Sequence, residues 1–333
     1  MLFPRRSLLA ASALAMPTLA QSGDALAQAR PTIKIGWTTS DGAQDPYAMA
    51  AHYFKEELAK RVGERIDVQL FANRALGDER PLLDGMRLGT VDMGVITNAV
   101  IAQVEPAYQI NDMPFLFSDA AAAQRVLDGQ VGQSLAQRLA TKGVVNLGYC
   151  EGGFRQMINN TRPIVNPADL RGVKFRVLQS PIYVGMYTAL GGTAVPMAWG
   201  ETFTAVQQGA IDGLEIPLAV IDANKYYEVT KYLSMTNHIY SMIALLMSKR
   251  SHDRLAPDLR AAVQEAGTAA TARQRTAAAT NARALVGSLA QHGMTVNEVA
   301  DPAAFRRAVM PMYESFRGAI GADIVRDALA AAG

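Results

Sequence analysis

An alternation of strand and helix patterns near the start of the chain most constrains its fold. The segment TIKIGW (32–37) alternates apolar residues as a strand does, and IDVQLF (66–71) does so again. Between them, Asp45 and Pro46 are typical of a helix start, and Gly63 of a helix end. A strand–helix–strand order builds parallel sheets with helices on their faces, so the sequence predicts an α/β fold.

A second pattern occurs twice along the chain. RLGTVDMGV (87–95) and QQGAIDGLE (207–215) share a helix end, a glycine, a small residue, a β-branched residue and an aspartate that opens a strand. This recurrence predicts one such unit in each of two similar lobes. Chance is the alternative, because glycine at a helix C-terminus is widespread. At 333 residues the chain is also near the size at which a single core gives way to two.

The second half of the chain contains a long helical pattern. Residues 257–291 are rich in alanine, have few helix breakers and predict one helix long enough to tie two lobes together. After it, GMTVNEV predicts a short strand and PAAFRRAVMPMYESF (302–316) a further helix. The apolar run MIALLM (242–247) predicts a buried strand. Since no low-complexity linker separates the lobes, we expect the chain to cross between them more than once.

The first 29 residues have the pattern of an export signal. Arg5 and Arg6 precede a stretch rich in alanine and leucine, and small residues follow it, which predicts a signal peptide over 1–29, cleaved after Ala27 or Ala29. The paired arginines are also typical of twin-arginine signals, so that route and the general secretory route both stay open. We therefore expect the mature chain in the periplasm, with no membrane-spanning helix.

Composition and motif content argue against several function classes. The formal net charge is +2 and the charges are dispersed, so neither nucleic acid nor an anionic membrane surface is an expected partner. The sequence contains no P-loop, no G-x-G-x-x-G, no G-x-S-x-G and no pair of histidines at helical spacing. The single cysteine, Cys150, follows an apolar segment and is expected to be buried and unpaired. We therefore expect no enzyme activity, no metal and no cofactor.

A charged residue lies inside one of the predicted strands. In VKFRVLQSP (173–181), Val173, Phe175 and Val177 alternate along the strand, and Arg176 lies among them. Taken alone, the segment favours an ordinary arginine paired with a nearby acid. An exported two-lobed protein without catalytic motifs is also suited to bind a solute between its lobes, and a solute carboxylate requires a rigid, bidentate donor such as arginine. Both interpretations stay open on these residues.

Several motifs in a fixed order resemble the substrate-binding proteins of tripartite ATP-independent periplasmic (TRAP) transporters, the DctP-like family. The matching segments run from about Ile33 to the last helix, and comprise LGDERPLLDGMRLGTVDMGV (76–95), MPFLF (113–117) and, within 173–240, the arginine strand, LGGTAVPM, QQGAIDGLE with PLA after it, and KYYEVTKYLSMTNH. The resemblance implies a periplasmic-binding-protein-like α/β fold, with two lobes, a central cleft, hinge strands and a long helix spanning both lobes. The implied lobes are 30–153 with about 241–280, and 154–240 with about 281–333.

The resemblance also implies a set of cleft residues. Arg176 matches the family arginine that forms a bidentate salt bridge with the solute carboxylate. Arg155 matches a second arginine that either reaches the ligand or braces the hinge. Glu215 either touches the solute or orients an arginine, and Trp199 either lines the site or packs beneath it. The full implied set of ligand-binding residues is Arg176, Arg155, Gln179, Glu215, Trp199, Thr97, Asn98 and Glu79.

The implied function is that of an extracytoplasmic receptor. It would capture a small organic acid and deliver it to a permease made of a small and a large membrane subunit, with an ion gradient as the energy source. Thr97 and Ile216 stand where sialic-acid-binding relatives have an acidic residue and an asparagine. This difference favours a dicarboxylate, keto acid or hydroxy acid over a large polyhydroxylated sugar acid. Two alternatives stay open, namely an exported enzyme, and the binding protein of an ABC importer or a sensor with the same fold.

Overall fold

The computed structural model describes residues 30–333, and the predicted signal peptide at 1–29 lies outside them. The strands are β1 (Thr32–Gly36), β2 (Asp67–Phe71), β3 (Met93–Thr97), β4 (Val144–Asn159), β5 (Lys174–Val177), β6 (Thr193–Pro196), β7 (Gly213–Pro217), β8 (Tyr232–Met235), β9 (Tyr240–Ser248) and β10 (Thr295–Glu298). The α-helices are α1 (Pro46–Val62), α2 (Glu79–Leu88), α3 (Asn98–Ile101), α4 (Ala120–Asp128), α5 (Gln130–Thr141), α6 (Pro181–Ala189), α7 (Trp199–Gln207), α8 (Leu218–Ala223), α9 (Lys249–Arg254), α10 (Pro257–Gln291), α11 (Pro302–Val309), α12 (Met312–Ile320) and α13 (Ala322–Ala332).

The strands pair in the order β2-β1-β3-β9-β4-β7-β5-β6, and β8 pairs with both β4 and β10. We call β2-β1-β3-β9 the first half-sheet and β7-β5-β6 the second half-sheet. Neighbouring strands are parallel within each half-sheet, except that β9 is antiparallel to β3. The long strand β4 belongs to both, because its pairing with β9 ends at Phe154 and its pairing with β7 begins at Arg155. The predicted α/β class is confirmed.

Each half-sheet contains the same β-α-β-α-β unit, namely β1-α1-β2-α2-β3 and β5-α6-β6-α7-β7. The recurring sequence pattern forms the last joint of each unit. The glycine after the helix has a φ of 80° in one copy and 70° in the other. Asp92 Oδ2 accepts a hydrogen bond from the Lys34 main-chain N–H at 3.1 Å, and Asp212 Oδ2 accepts one from Lys174 at 2.7 Å. The pattern therefore marks a structural repeat and not a chance recurrence.

The repeat places two residues of the predicted site at corresponding positions. Glu79 precedes Asp92 by thirteen residues, and Trp199 precedes Asp212 by the same interval. Each is the first residue of its helix, α2 or α7. These helices begin after the carboxyl ends of β2 and β6, which is where open α/β sheets place their ligand sites.

Helix α10 packs on both halves of the molecule. It contacts α1 and β4 on one side and α8 and β10 on the other, and its bounds match the predicted helix over 257–291. Cys150 of β4 lies under this helix, with its sulfur 3.6 Å from Thr271 Oγ1. Burial raises the pKa of the Cys150 thiol to about 11. The cysteine is therefore an unreactive core residue, as predicted.

The predicted helix over 302–316 is wrong in one respect, because two helices occupy that stretch. Helix α11 ends at Val309 and α12 begins at Met312, with Pro311 between them. Proline has no N–H to donate and its ring clashes with the preceding turn, so a helix ends before it. The last helix, α13, packs against α4 and α5. The residue boundaries of the two lobes stay a prediction.

The core agrees with the remaining strand predictions. All nine residues of β9 are buried, as the apolar run at 242–247 predicts. Helix α1 begins at the predicted cap, where Asp45 Oδ1 accepts hydrogen bonds from the Tyr47 and Ala48 main-chain N–H groups, and it ends at Gly63. Across residues 30–333, no helix combines the length and apolar character that crossing a membrane requires.

Candidate functional site

The two half-sheets enclose a central cavity with about 400 Å³ of space not filled by protein atoms, part of it open to solvent. Both repeats contribute to its wall, and so does β4 where its pairing changes from one half-sheet to the other. Five of the eight predicted site residues line this cavity, namely Arg176, Arg155, Trp199, Thr97 and Glu79. Its position at the carboxyl ends of parallel strands is the usual one for a ligand site in this fold class.

Arg176 is the buried cation of the cavity wall, with 1% of its surface exposed. Its Nε and Nη2 atoms donate hydrogen bonds to the Met197 carbonyl oxygen at 3.0 and 2.8 Å. Its guanidinium carbon lies 6.0 Å from the centre of the Trp199 ring. Among residues 30–333, no carboxylate lies within 4.0 Å of its nitrogen atoms. A buried arginine that stays charged and lacks an acidic partner is costly to fold, so its retention points to an external anion.

Burial lowers the pKa of Arg176, although the negative charge of Glu215 opposes that shift. The side chain nevertheless stays protonated at neutral pH, because arginine begins from a very high pKa. Of its five N–H donors, the hydrogen bonds to Met197 use two. The others are available for a carboxylate in the cavity.

Arg155 differs from Arg176 because it already has an acidic partner. It forms a close bidentate ion pair with Glu215, in which Nη2 lies 3.0 Å from Oε1 and Nε contacts Oε2. Nη2 also donates to the Glu215 carbonyl oxygen at 2.6 Å, and Nη1 donates to Ser241 Oγ at 3.1 Å. Burial acts to lower the pKa of Arg155, but the charge and hydrogen bonds of Glu215, together with Tyr183 and Tyr47, raise the pKa overall.

Glu215 lies behind Arg155 and does not line the cavity. It is fully buried, and its Oε2 lies 3.2 Å from His238 Nε2. The other imidazole nitrogen, Nδ1, lies 2.8 Å from Thr236 Oγ1. Burial alone would raise the pKa of Glu215, but Arg155 and His238 together lower it. Burial lowers the pKa of His238, so the ring is neutral and its Nε2–H donates to the carboxylate.

Glu79 is the buried carboxylate of the cavity wall, with 6% of its surface exposed. Its Oε1 accepts a hydrogen bond from the Thr97 main-chain N–H at 2.8 Å, which joins the start of α2 to the end of β3. Burial raises the pKa of Glu79 to about 7, against the opposing effects of this hydrogen bond and of the charge on Arg176. The cavity wall therefore carries both a cation and an anion above neutral pH.

Three predicted site residues lie away from the cavity wall. Gln179 is exposed, and its carbonyl oxygen accepts a hydrogen bond from Gln103 Nε2 at 2.9 Å. Asn98 is buried, and its amide donates to the Tyr108 carbonyl oxygen at 2.9 Å and accepts from Asn111 Nδ2 at 3.0 Å. Glu215 is the third. In this structure, none of the three is among the residues that line the cavity, and whether they contact a solute stays a prediction.

The sequence analysis missed most of the remaining wall. The polar part comprises Thr38, Thr39, Tyr47 and Ser241, and the apolar part comprises Leu178, Ile216, Pro217 and Val220. Thr38 and Thr39 follow β1, and Pro217 ends β7. The rule that carboxyl ends of parallel strands face the ligand could have found these three. Tyr47 and Ser241 have no such local signal.

Hydrogen bonds between the two repeats hold the cavity closed. Asp78 Oδ2 accepts from the Gly200 main-chain N–H at 3.0 Å, so the start of α2 is linked to the start of α7. Ser40 donates its main-chain N–H to Asn224 Oδ1 and its hydroxyl to the Ala223 carbonyl oxygen, both at 3.0 Å. We call this arrangement, in which hydrogen bonds join the two sides of the cavity, the closed form, and part of its cavity is open to solvent. Within residues 30–333, no group of three or more metal-binding side chains is present.

A further buried acid, Asp112, lies on the segment before α4. Asp112 is 1% exposed and accepts a hydrogen bond from the Tyr183 hydroxyl at 3.3 Å. Its Oδ2 has no hydrogen-bond partner among the described residues. Burial raises the pKa of Asp112 to about 7, although Asn98 and Arg155 oppose the shift.

We expect Asp112 to make the unliganded protein more stable in mild acid than at pH 8. The folded pKa of about 7 lies above the ordinary aspartate pKa of 3.8, so the folded state binds the proton more tightly. This stabilisation is complete below the unfolded pKa and is lost as the pH rises through the folded pKa. Urea unfolding between pH 5 and 8 would measure it, and Asp112→Asn should flatten the dependence by about 2–4 kcal/mol. An unchanged pH profile in that variant would contradict the assignment.

Comparisons with known proteins match most of the chain. The family model described as bacterial extracellular solute-binding protein, family 7 (DctP), matches residues 38–318. A solute-binding protein of Verminephrobacter eiseniae is 38% identical over 298 residues, which are 89% of this chain and 88% of the relative.

Two solved structures have closely similar folds. The sugar acid binding protein DctPAm from Advenella mimigardefordensis, in complex with galactonate, matches with a TM-score of 0.88 and 33% identity, over 91% of this chain and 98% of that one. A TRAP periplasmic solute binding protein from Polaromonas sp. JS666, bound to D-erythronate, matches with a TM-score of 0.87 and 35% identity, over 90% and 98% of the two chains.

Proposed function

The chain belongs to family 7 of the bacterial extracellular solute-binding proteins, the DctP family of TRAP receptors, and we propose that it captures a small organic acid for a TRAP permease. Arg176 carries this proposal, because it is a buried arginine on the cavity wall with no acidic partner within 4.0 Å among the described residues. The solute carboxylate supplies the missing anion. The protein performs no chemistry on the solute.

The Met197 carbonyl oxygen fixes the orientation of the Arg176 guanidinium by accepting two of its N–H groups. The remaining donors form a bidentate hydrogen bond with the solute carboxylate, which is stronger in a closed cavity than in water. Arg155 is held by Glu215 and borders the same space. The two proteins of known structure bind galactonate and D-erythronate, which supports an organic acid as the solute here.

In this proposal the closed form docks on a permease of one small and one large membrane subunit, which draws its energy from an ion gradient. The receptor is periplasmic, and the predicted signal peptide directs its export. Membership of a solute-receptor family argues against the alternative of an exported enzyme. An ABC importer or a sensor would be the partner under the other alternative. Two permease genes without an ATPase gene beside the receptor gene would support the TRAP assignment, and an adjacent ATPase gene would contradict it.

A thermal-shift screen against carboxylates tests directly which chemical class of solute the protein binds. A ligand at one hundred times its dissociation constant adds about 2.7 kcal/mol to the stability of the folded state. We expect one or more organic acids to raise the melting temperature, while the matching amides, which lack the negative charge, leave it unchanged. A screen in which only neutral sugars or amines raise the melting temperature would overturn the proposal.

A further inference from the structure

Two opposite charges line the central cavity without pairing with each other. Arg176 and Glu79 are both buried and both border this space. Within the described residues 30–333, no nitrogen of Arg176 lies within 4.0 Å of a carboxylate oxygen of Glu79. Opposite charges in a low-dielectric space attract strongly, so a gap between them is best explained by a ligand that contacts both.

One carboxylate oxygen of Glu79 is available to accept a hydrogen bond from such a ligand. Its Oε1 accepts the hydrogen bond from the Thr97 main-chain N–H. None of the described residues donates a hydrogen bond to its Oε2. Carboxylate oxygens accept hydrogen bonds and cannot donate them while ionised. The group that meets Oε2 must therefore be a donor, and a ligand hydroxyl is one.

The cavity offers no second free cation among its described lining residues. Arg155 is the other lining cation, and Glu215 already occupies it with a bidentate ion pair. A solute with one carboxylate on Arg176 and a second at its far end would place that second charge near Glu79. Like charges brought together at a closed interface are strongly unfavourable.

We propose that Glu79 selects hydroxylated monocarboxylates and rejects dicarboxylates. The inference rests on the proposed function, in that the solute carboxylate binds Arg176. A hydroxyl group farther along the solute then donates a hydrogen bond to Glu79 Oε2. Thr38 and Thr39 line the same first-repeat part of the wall, and they provide further polar contacts for a hydroxylated chain.

The apolar part of the cavity wall agrees with this class. Trp199, which corresponds to Glu79 in the second repeat, presents an aromatic ring, and Leu178 and Ile216 add apolar surface. The carbon backbone of a hydroxylated acid has apolar C–H groups that fit such a surface.

The test compares two four-carbon acids, D-erythronate and succinate, by isothermal titration calorimetry at pH 8. Both acids are fully ionised at this pH, and it lies above the pKa of Glu79 of about 7. We expect succinate to bind the unchanged protein at least about 30-fold more weakly than D-erythronate. Glycerate with malonate, and galactonate with adipate, extend the comparison to shorter and longer solutes.

The decisive variant is Glu79→Gln, which keeps the shape and an acceptor for the Thr97 N–H but removes the charge. We expect it to weaken the hydroxylated acids by about tenfold, because a hydrogen bond to a charged acceptor becomes one to a neutral acceptor. Binding of the dicarboxylates should strengthen in the same variant. Glu201→Gln is the matched control, because Glu201 is an exposed residue in the first turn of α7 and does not line the cavity. It should leave both affinities unchanged.

The possible results separate this inference from the proposed function. If both classes bind the unchanged protein equally, Glu79→Gln changes neither, and Arg176→Ala abolishes both, the selectivity role of Glu79 is overturned while the receptor proposal stands. If no carboxylate binds, or if binding does not depend on Arg176, the proposed function fails and the inference fails with it. A thermal transition of Glu79→Gln like that of the unchanged protein excludes unfolding as the cause of any loss.

Discussion

Replacing Arg176 with alanine is expected to abolish solute binding detectable by calorimetry, while the thermal transition of the unliganded protein changes little. Truncating one partner of a buried, hydrogen-bonded charge pair costs about 2–5 kcal/mol, or roughly 30-fold to several thousand-fold in affinity. Without solute, the arginine has no acidic partner within 4.0 Å among the described residues, so its removal breaks no ion pair of the protein itself. The Met197 carbonyl oxygen loses its donors, but an under-satisfied carbonyl is tolerated better than a buried N–H.

Two further variants separate the charge from its geometry. Arg176→Lys keeps the positive charge but cannot form the bidentate contact, so we expect weak residual binding. Arg65→Ala removes an exposed arginine that is paired with Asp258 and does not line the cavity, so it should leave binding unchanged. If Arg176→Ala binds the solute as tightly as the unchanged protein does, Arg176 is not the anchor of the site.

Most of the fold could be predicted because its signals are local. The cap at Asp45, the stop at Gly63 and the alanine-rich run of α10 depend on residues a few positions apart, and the structure confirms each of them. The break at Pro311 was available by the same kind of reasoning, since proline interrupts a helix regardless of the apolar pattern around it. The prediction of a single helix there overlooked this proline.

The site was harder to predict because its contacts join distant parts of the chain. Arg155 and Glu215 are 60 residues apart, and Glu215 and His238 are 23 apart. Only the antiparallel pairing of β4 with β7, in which Arg155 lies opposite Pro217, brings the first two together. The position of the Gln179 side chain was hard to predict for a different, local reason. Strand β5 ends at Val177, so strand periodicity no longer determines where that side chain lies.

Replacing Glu215 with glutamine is expected to destabilise the unliganded protein by about 3–5 kcal/mol. Breaking a buried ion pair by removing one partner leaves the other charge uncompensated in a low-dielectric environment. Here the remaining charge is Arg155, which is 3% exposed and takes its strongest contacts from Glu215. Glutamine also has one side-chain acceptor oxygen where glutamate has two, so its NH2 group would face an N–H donor of Arg155 or His238. Urea unfolding at pH 7 measures the loss, because its midpoint should fall while its slope stays the same.

A double variant shows whether the loss of stability in Glu215→Gln comes from the unpaired charge of Arg155. Replacing a buried ion pair with apolar residues of similar volume is often neutral, so Arg155→Met with Glu215→Leu should recover most of the stability lost in Glu215→Gln. Arg176 contrasts with Arg155, because Arg155 is balanced by a carboxylate of the protein and, under the proposed function, Arg176 is balanced by the solute. If Glu215→Gln keeps full stability but loses solute binding, Glu215 acts on the solute directly and its place behind Arg155 does not describe its role.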